Sequence, residues 1–242
     1  MRSIWYDKGS ARRLVGNVYI LCIFVTEELE SKEKAEWAVN RQNAWKAVCT
    51  AMAWLQKYAR RYRKQLDFRN GVIGLDKEWV HTIPSDYDSG HASPDFVKNY
   101  LEALGYPTGK AFADWVCGFS GCEQAFVLVI ANKRGRGYAV PHMSNDGSNY
   151  SEGAILYDGG SFHVMPNQVA HEILHLFGAW DLYHTREQSQ ENEDRMRRMY
   201  PNEVMLKSAP IEQLTISPLT AWLVGLTDEE QPWFQSFRPN NC

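Results

Sequence analysis

His171-Glu172-Ile173-Leu174-His175-Leu176-Phe177-Gly178-Ala179-Trp180-Asp181 is the stretch on which the reading of this 242-residue chain turns. Two histidines four residues apart sit on one helical face, one turn apart, so their imidazoles can reach a common point. Ile173, Leu174 and Phe177 press the same helix into the protein body and fix the direction of both rings. Gly178 then ends the helix, because glycine accepts the left-handed backbone of an abrupt stop. Past that bend the chain offers Asp181, six residues after His175. Two neutral imidazoles and a carboxylate form a zinc-ligand set, with nitrogens expected about 2.0–2.1 Å from the metal. Glu172, next to the first histidine, is positioned to take a proton from a water that the metal activates. Two histidines with this spacing and glutamate arise by chance in roughly one chain of this length per hundred. Requiring Gly178 and Asp181 as well lowers that to roughly one in tens of thousands at ordinary residue frequencies. The pattern is specific.

On either side of this helix the chain alternates strands and helices. Asn17 to Val25, rich in Val and Ile, predicts a buried strand. Ser31 predicts an N-cap and Lys32 to Gln65 one long helix, in which Trp45, Val48, Met52, Leu55, Ala59 and Tyr62 form an apolar stripe. Such a stripe packs on a sheet. Arg60, Arg61, Arg63 and Lys64 fall in its last turns, where they complement the helix dipole. Arg69 to Leu75 reads as a second strand, and Asp76 to Gly118 mixes turns with a short helix near Pro94 to Leu104. Ala125 to Ala131 is the clearest strand; Gly137 to Val140 and Ala154 to Tyr157 are shorter ones. The central helix starts at Pro166 or Asn167, Gln188 to Met199 is a charged helix-compatible stretch, and Ser217-Pro218 opens a last helix ending near Gly225. The expected fold is α/β or α+β. One domain spans 1–242, with a mixed, twisted sheet backed by the long N-terminal helix and a helical or loop insertion at 76–118.

Bulk properties narrow the partners. The length suits a single core, and 44% hydrophobic residues with nine Trp describe a globular chain. A formal net charge of -3 leaves no basic excess for phosphate, so no nucleic-acid partner is expected. The longest apolar run, Leu14 to Val25, contains Asn17, is too short to span a bilayer and precedes no cleavage-site pattern. No membrane partner is expected, and the default location is cytoplasmic, or secreted if a leader has been removed. Five scattered cysteines argue against a disulfide framework. Cys22 and Cys49 read as core fillers, and Cys117 and Cys122 as the one pair a local disulfide could close. Asp86-Tyr87-Asp88 and Asn145-Asp146-Gly147-Ser148 are oxygen-rich turns without the full spacing of a calcium loop.

Residues 171–181 resemble the metzincin zinc peptidases, whose pattern is HExxHxxGxx followed by His or Asp. Asp181-Leu182-Tyr183 is most similar to the HExxHxxGxxDxY variant of snapalysins and relatives of immune inhibitor A. The resemblance implies a single catalytic domain of metzincin type, Zn2+ as cofactor, and hydrolysis of peptide bonds in a protein or peptide substrate with Glu172 as general base. It implies a methionine in a tight turn beneath the metal, a role that falls to Met205 at the end of Tyr200-Pro201-Asn202-Glu203-Val204-Met205. It also implies an upstream edge strand that pairs with extended substrate, at Gly137, Tyr138, Ala139 and Val140, and a specificity pocket near Val204, Leu206 and Ala209. Tyr183 and Tyr200 are candidates to donate to the oxyanion or to orient Asp181, although tyrosines beside a wet cleft often only pack. His163 and His184 fall off the ligand pattern and are expected at the surface or behind the ligands. The close match covers residues 137–205.

Two other readings stay open at this point. In gluzincin-type peptidases the third ligand is a glutamate on a later helix, and Glu191 or Glu193 is available. The chain can also be a non-catalytic zinc-binding or regulatory module, although structural sites usually close with four protein ligands and carry no adjacent glutamate. A peptidase without a leader further calls for control, by a regulatory protein partner or a narrow substrate range.

Overall fold

The apolar runs of the sequence become the middle of a sheet. In the computed structural model, which describes residues 9–90, 93, 95–142, 151–160, 162–185 and 188–238, β1 (Gly16–Thr26) lies between β2 (Leu66–Ile73) and β4 (Gln124–Ala131). The two-residue β3 (Trp79–Val80) pairs with the end of β1. Beyond β4 the sheet continues through β6 (Gly153–Tyr157) to an edge strand, β5 (Tyr138–Val140). Every pairing is parallel except β5 with β6. Strands joined through helices are covered on both faces, and the side-chain alternation of β1 divides cleanly. Val18, Ile20, Cys22 and Phe24 join one core with Phe126, Leu128 and Ile130; Leu21, Ile23 and Val25 join the other with Val127, Val129 and Ile155.

The first face is covered by α1 (Ser31–Arg61), α4 (Pro166–Leu176) and α6 (Pro218–Leu223). The second is covered by α2 (Asp95–Ala103) and α3 (Gly109–Ser120), through Phe96, Val97, Tyr100, Leu101, Phe112, Ala113 and Val116. Segment 76–118, read from sequence as an insertion, therefore supplies a whole layer of the core. A charged helix, α5 (Gln190–Met199), stands where helix-compatible sequence predicts one.

Several sequence expectations need correction. The N-cap of α1 is Glu30, not Ser31, with the Glu33 carboxylate accepting the Glu30 N–H at 3.0 Å. α1 stops at Arg61 rather than Gln65, because Arg63 takes a positive φ of 56° and Lys64 N–H turns back to Ala59 O. Its buried face is wider than the predicted stripe and includes Trp37, Ala44, Ala51 and Tyr58. α3 is absent from the sequence reading, since Gly109 and Gly118 weaken its helical signal; Thr108 Oγ1 nevertheless caps it by accepting from Ala111 N–H. Cys117 lies in this helix, and it and Cys122 are free thiols. Cys22 is core, but Cys49 is exposed, on the solvent side of α1. Among the described residues no helix is long and apolar enough to cross a membrane.

Candidate metal centre

The site lies at the carboxyl ends of β4 and β6, where open parallel sheets leave a crevice. α4 opens there with Pro166 in its first turn, where the missing N–H costs nothing. The helix ends in a Schellman arrangement: Ala179 N–H donates to Leu174 O at 3.0 Å and Gly178 N–H to His175 O at 2.9 Å, with Gly178 at φ 94°. This bend returns Asp181 to the two imidazoles. His171 Nε2 and His175 Nε2 are 3.1 Å apart, and Asp181 Oδ1 is 3.2 Å from each. Ligands about 2.0–2.1 Å from a tetrahedral zinc are about 3.3 Å from one another. The triangle has the size of one face of such a tetrahedron.

Backbone carbonyls set the tautomers. His171 Nδ1 is 3.2 Å from Val204 O, and His175 Nδ1 is 2.9 Å from Ala179 O. A carbonyl only accepts, so each Nδ1 carries the hydrogen and each Nε2 presents its lone pair. Asp181 Oδ1 is buried and has no hydrogen bond. Three acceptors thus converge without a donor, an arrangement that a proton or a metal cation relieves. Burial opposes charge on His175, but Asp181, Glu172 and the Ala179 carbonyl outweigh it and push its pKa up to about 9. Burial likewise opposes charge on Asp181, yet His175 and His171 hold its carboxyl far below the usual range. Protons and a divalent cation compete for the same atoms. Glu172 is buried in the cleft wall; burial raises its pKa, with His171 and His175 opposing. That shift moves the carboxyl toward the range where a general base works at neutral pH.

The loop after α5 supports this triangle from behind. Met205 is fully buried in a turn, Leu182 N–H donates to Met205 O at 2.9 Å, and the neighbouring Val204 carbonyl holds His171. Sequence reasoning missed the residue that secures the turn. Glu203 is fully buried, and its carboxylate accepts from Met205 N–H and Thr220 Oγ1, each at 3.1 Å, and from Ser217 N–H. Its one sequence signal is a lone acid against the apolar run Val204-Met205-Leu206. Glu203→Ala strands three buried donors at about 1–3 kcal/mol each. A loss of about 3 kcal/mol or more is expected in denaturant melts, with Glu203→Gln milder because it keeps an acceptor.

The other predicted residues divide. Tyr183 lies over His171, with ring centroids 6.4 Å apart and planes at 22°, and its hydroxyl accepts from Arg136 Nη2 at 3.2 Å. Arg136, also missed, is 3.5 Å from Asp88, while Asp86 accepts the Arg136 N–H. The Asp86-Tyr87-Asp88 turn therefore serves an arginine; the other oxygen-rich turn, Asn145 to Ser148, lies outside the described residues. Tyr200 does not reach the cleft and stacks on Trp233, with centroids 6.0 Å apart. Tyr138, Ala139 and Val140 form the sheet's edge strand, and Gly137 passes so close to Ile155 O that a Cβ would sit 2.7 Å from it. The cleft, about 660 Å³, is lined by Gly137, His171, Glu172, Tyr183, Val204 and Leu206 among others, but not by Ala209. His184 is exposed, and His163 is mostly exposed beside Asp158. Glu193 is committed to His184 N–H and Arg197, Glu191 is exposed, and neither joins the ligand cluster. No protein-family model matches the chain, and no curated protein is significantly similar to it.

Proposed function

We propose that this chain is a zinc-dependent endopeptidase of the metzincin type. The observation that carries the reading is the convergence of His171 Nε2, His175 Nε2 and Asp181 Oδ1, three donor-free acceptors at the wall of a cleft that His171 and the buried Glu172 line. These atoms fit zinc in number, chemistry and spacing. Bound there, zinc supplies Lewis-acid polarisation of the scissile carbonyl and activation of the attacking water. The rest falls to the chain itself. Glu172 takes the proton from the attacking water and delivers it to the leaving amine. The free edge of β5 receives an extended peptide by backbone hydrogen bonds. Tyr183, held by Arg136, stands over His171 and offers a donor to the substrate oxygen.

The substrate is an unfolded segment of protein or a peptide. A regulatory partner or a narrow substrate range belongs to the proposal; general cleavage of casein by the purified chain counts against it. The direct test is metal exchange. One zinc per chain is expected, with peptide cleavage lost on chelation and regained on adding zinc. A ligand at a thousand times its Kd stabilises by about 4 kcal/mol, which at about 2–4 °C per kcal/mol raises Tm by roughly 10 °C. Zinc that binds without restoring cleavage, or does not bind, sinks the proposal.

A further inference from the structure

Three acids and three bases line the cleft, but they are unevenly paired. Arg136 is answered by Asp88, and Asp86 accepts the backbone N–H groups of Ser89 and Arg136. Two further cations line the same cleft, Arg134 and Lys207, both exposed. Among the described residues neither makes an ion pair. Arg134 lies 4.7 Å over the Phe162 ring, and the Lys207 ammonium donates to Asn202 Oδ1 at 3.2 Å, leaving two of its three hydrogens unused. Both belong to walls that meet at the first turn of α4. Phe162 is in the connection leading into that helix, and Asn167 of the first turn donates to Ser208 Oγ, next to Lys207. Asn167 and Gln168 line the cleft as well, so the positive end of the helix dipole lies between the two walls. Asp86, Asp88 and Glu172 equal Arg134, Arg136 and Lys207 in number along the cleft, yet Arg134 and Lys207, on the walls flanking the helix start, are the two of these cations without an ion pair among the described residues.

We propose that this end of the cleft receives a carboxylate of the substrate between Arg134 and Lys207, so that the enzyme selects peptides with an acidic group beside the scissile bond. The inference rests on the peptidase reading and names its substrate class. Each cation is solvent-accessible, so each contributes modestly. Together they favour an acidic group and repel a basic one, and like-charge exclusion sharpens the choice. The carboxylate can come from an Asp or Glu side chain or from a peptide's own C-terminus.

The test uses the zinc-loaded full chain carrying Glu172→Gln, which binds without cutting. Labelled short peptides with blocked ends carry a single Glu, Gln or Lys scanned along the sequence, and a further set has a free C-terminal carboxylate and no acidic side chain. In fluorescence anisotropy, Glu at one position is expected to bind about tenfold tighter than Lys there, with the margin shrinking as salt screens it. Arg134→Ala with Lys207→Ala should reduce that ratio to within about twofold, and Lys207→Glu should reverse it. Tighter binding of the free C-terminal set instead identifies the chain end as the carboxylate source, with the same dependence on both residues. Equal binding of Glu, Gln and Lys, or a preference that survives both substitutions, overturns the proposal. Hydrolysis by the chain with Glu172 intact separates the two claims. Cleavage without charge preference removes the carboxylate site and leaves the peptidase. Charge-selective binding without any cleavage removes the peptidase and leaves the site.

Discussion

Glu172→Gln is expected to lower peptide hydrolysis by about 10²–10⁴-fold, the range for removing a positioned general base, while one zinc per chain remains bound. The two side chains have nearly the same shape, so the packing of α4 on the core through Ile173 and Leu174 is undisturbed. What changes is that an amide cannot accept the proton. Glu172 is not one of the three converging atoms, which is why metal content and activity should separate. Stability moves the other way in the metal-free chain. Burial raises the Glu172 pKa, so folding favours its protonated form, and that contribution fades as pH rises through the raised value. The glutamine variant never ionises, so its melting temperature should gain on that of the metal-free wild type as pH increases. Activity within about tenfold of wild type would remove Glu172 from the base role. Joint loss of zinc and activity would make it a structural residue instead.

Asp181→Ala should have the second large effect, and on the metal itself. It takes away the only anion of the triangle and leaves two imidazoles whose lone pairs face each other at 3.1 Å. Zinc content is expected to fall well below one per chain, hydrolysis to vanish with it, and the roughly 10 °C gap in melting temperature between zinc-loaded and chelated protein to close. Asp181→Asn, which keeps the shape and one neutral acceptor, should fall in between. Full zinc occupancy in the alanine variant would mean the third ligand lies elsewhere, on the lines of Glu191 or Glu193. Glu193 would then have to leave the His184 N–H and Arg197, which it holds in this structure.

The candidate site was legible where chemistry and geometry are both local. His171, Glu172, His175, Gly178 and Asp181 fall within eleven residues, and one helical repeat plus one glycine bend dictates their relation. The strands were legible for a similar reason. A run such as Ala125 to Ala131, buried at every position, announces a place in a sheet covered on both faces. The covering of the second face was half legible: α2 falls where a short helix is expected, but α3 carries glycines, and its partners on β1 are distant in the chain.

Sequence alone therefore marked the candidate cluster His171, His175 and Asp181 and most of the strand–helix order, since spacing along one helix and period-two burial are properties of neighbouring residues. Only the tertiary structure decided what surrounds those side chains: the Val204 carbonyl behind His171, Glu203 beneath the Met205 turn and Arg136 on Tyr183, with Tyr200 turned away onto Trp233. A backbone carbonyl carries no mark of its own in a sequence. A buried carboxylate is told from a solvated one by the donors that long-range folding brings to it.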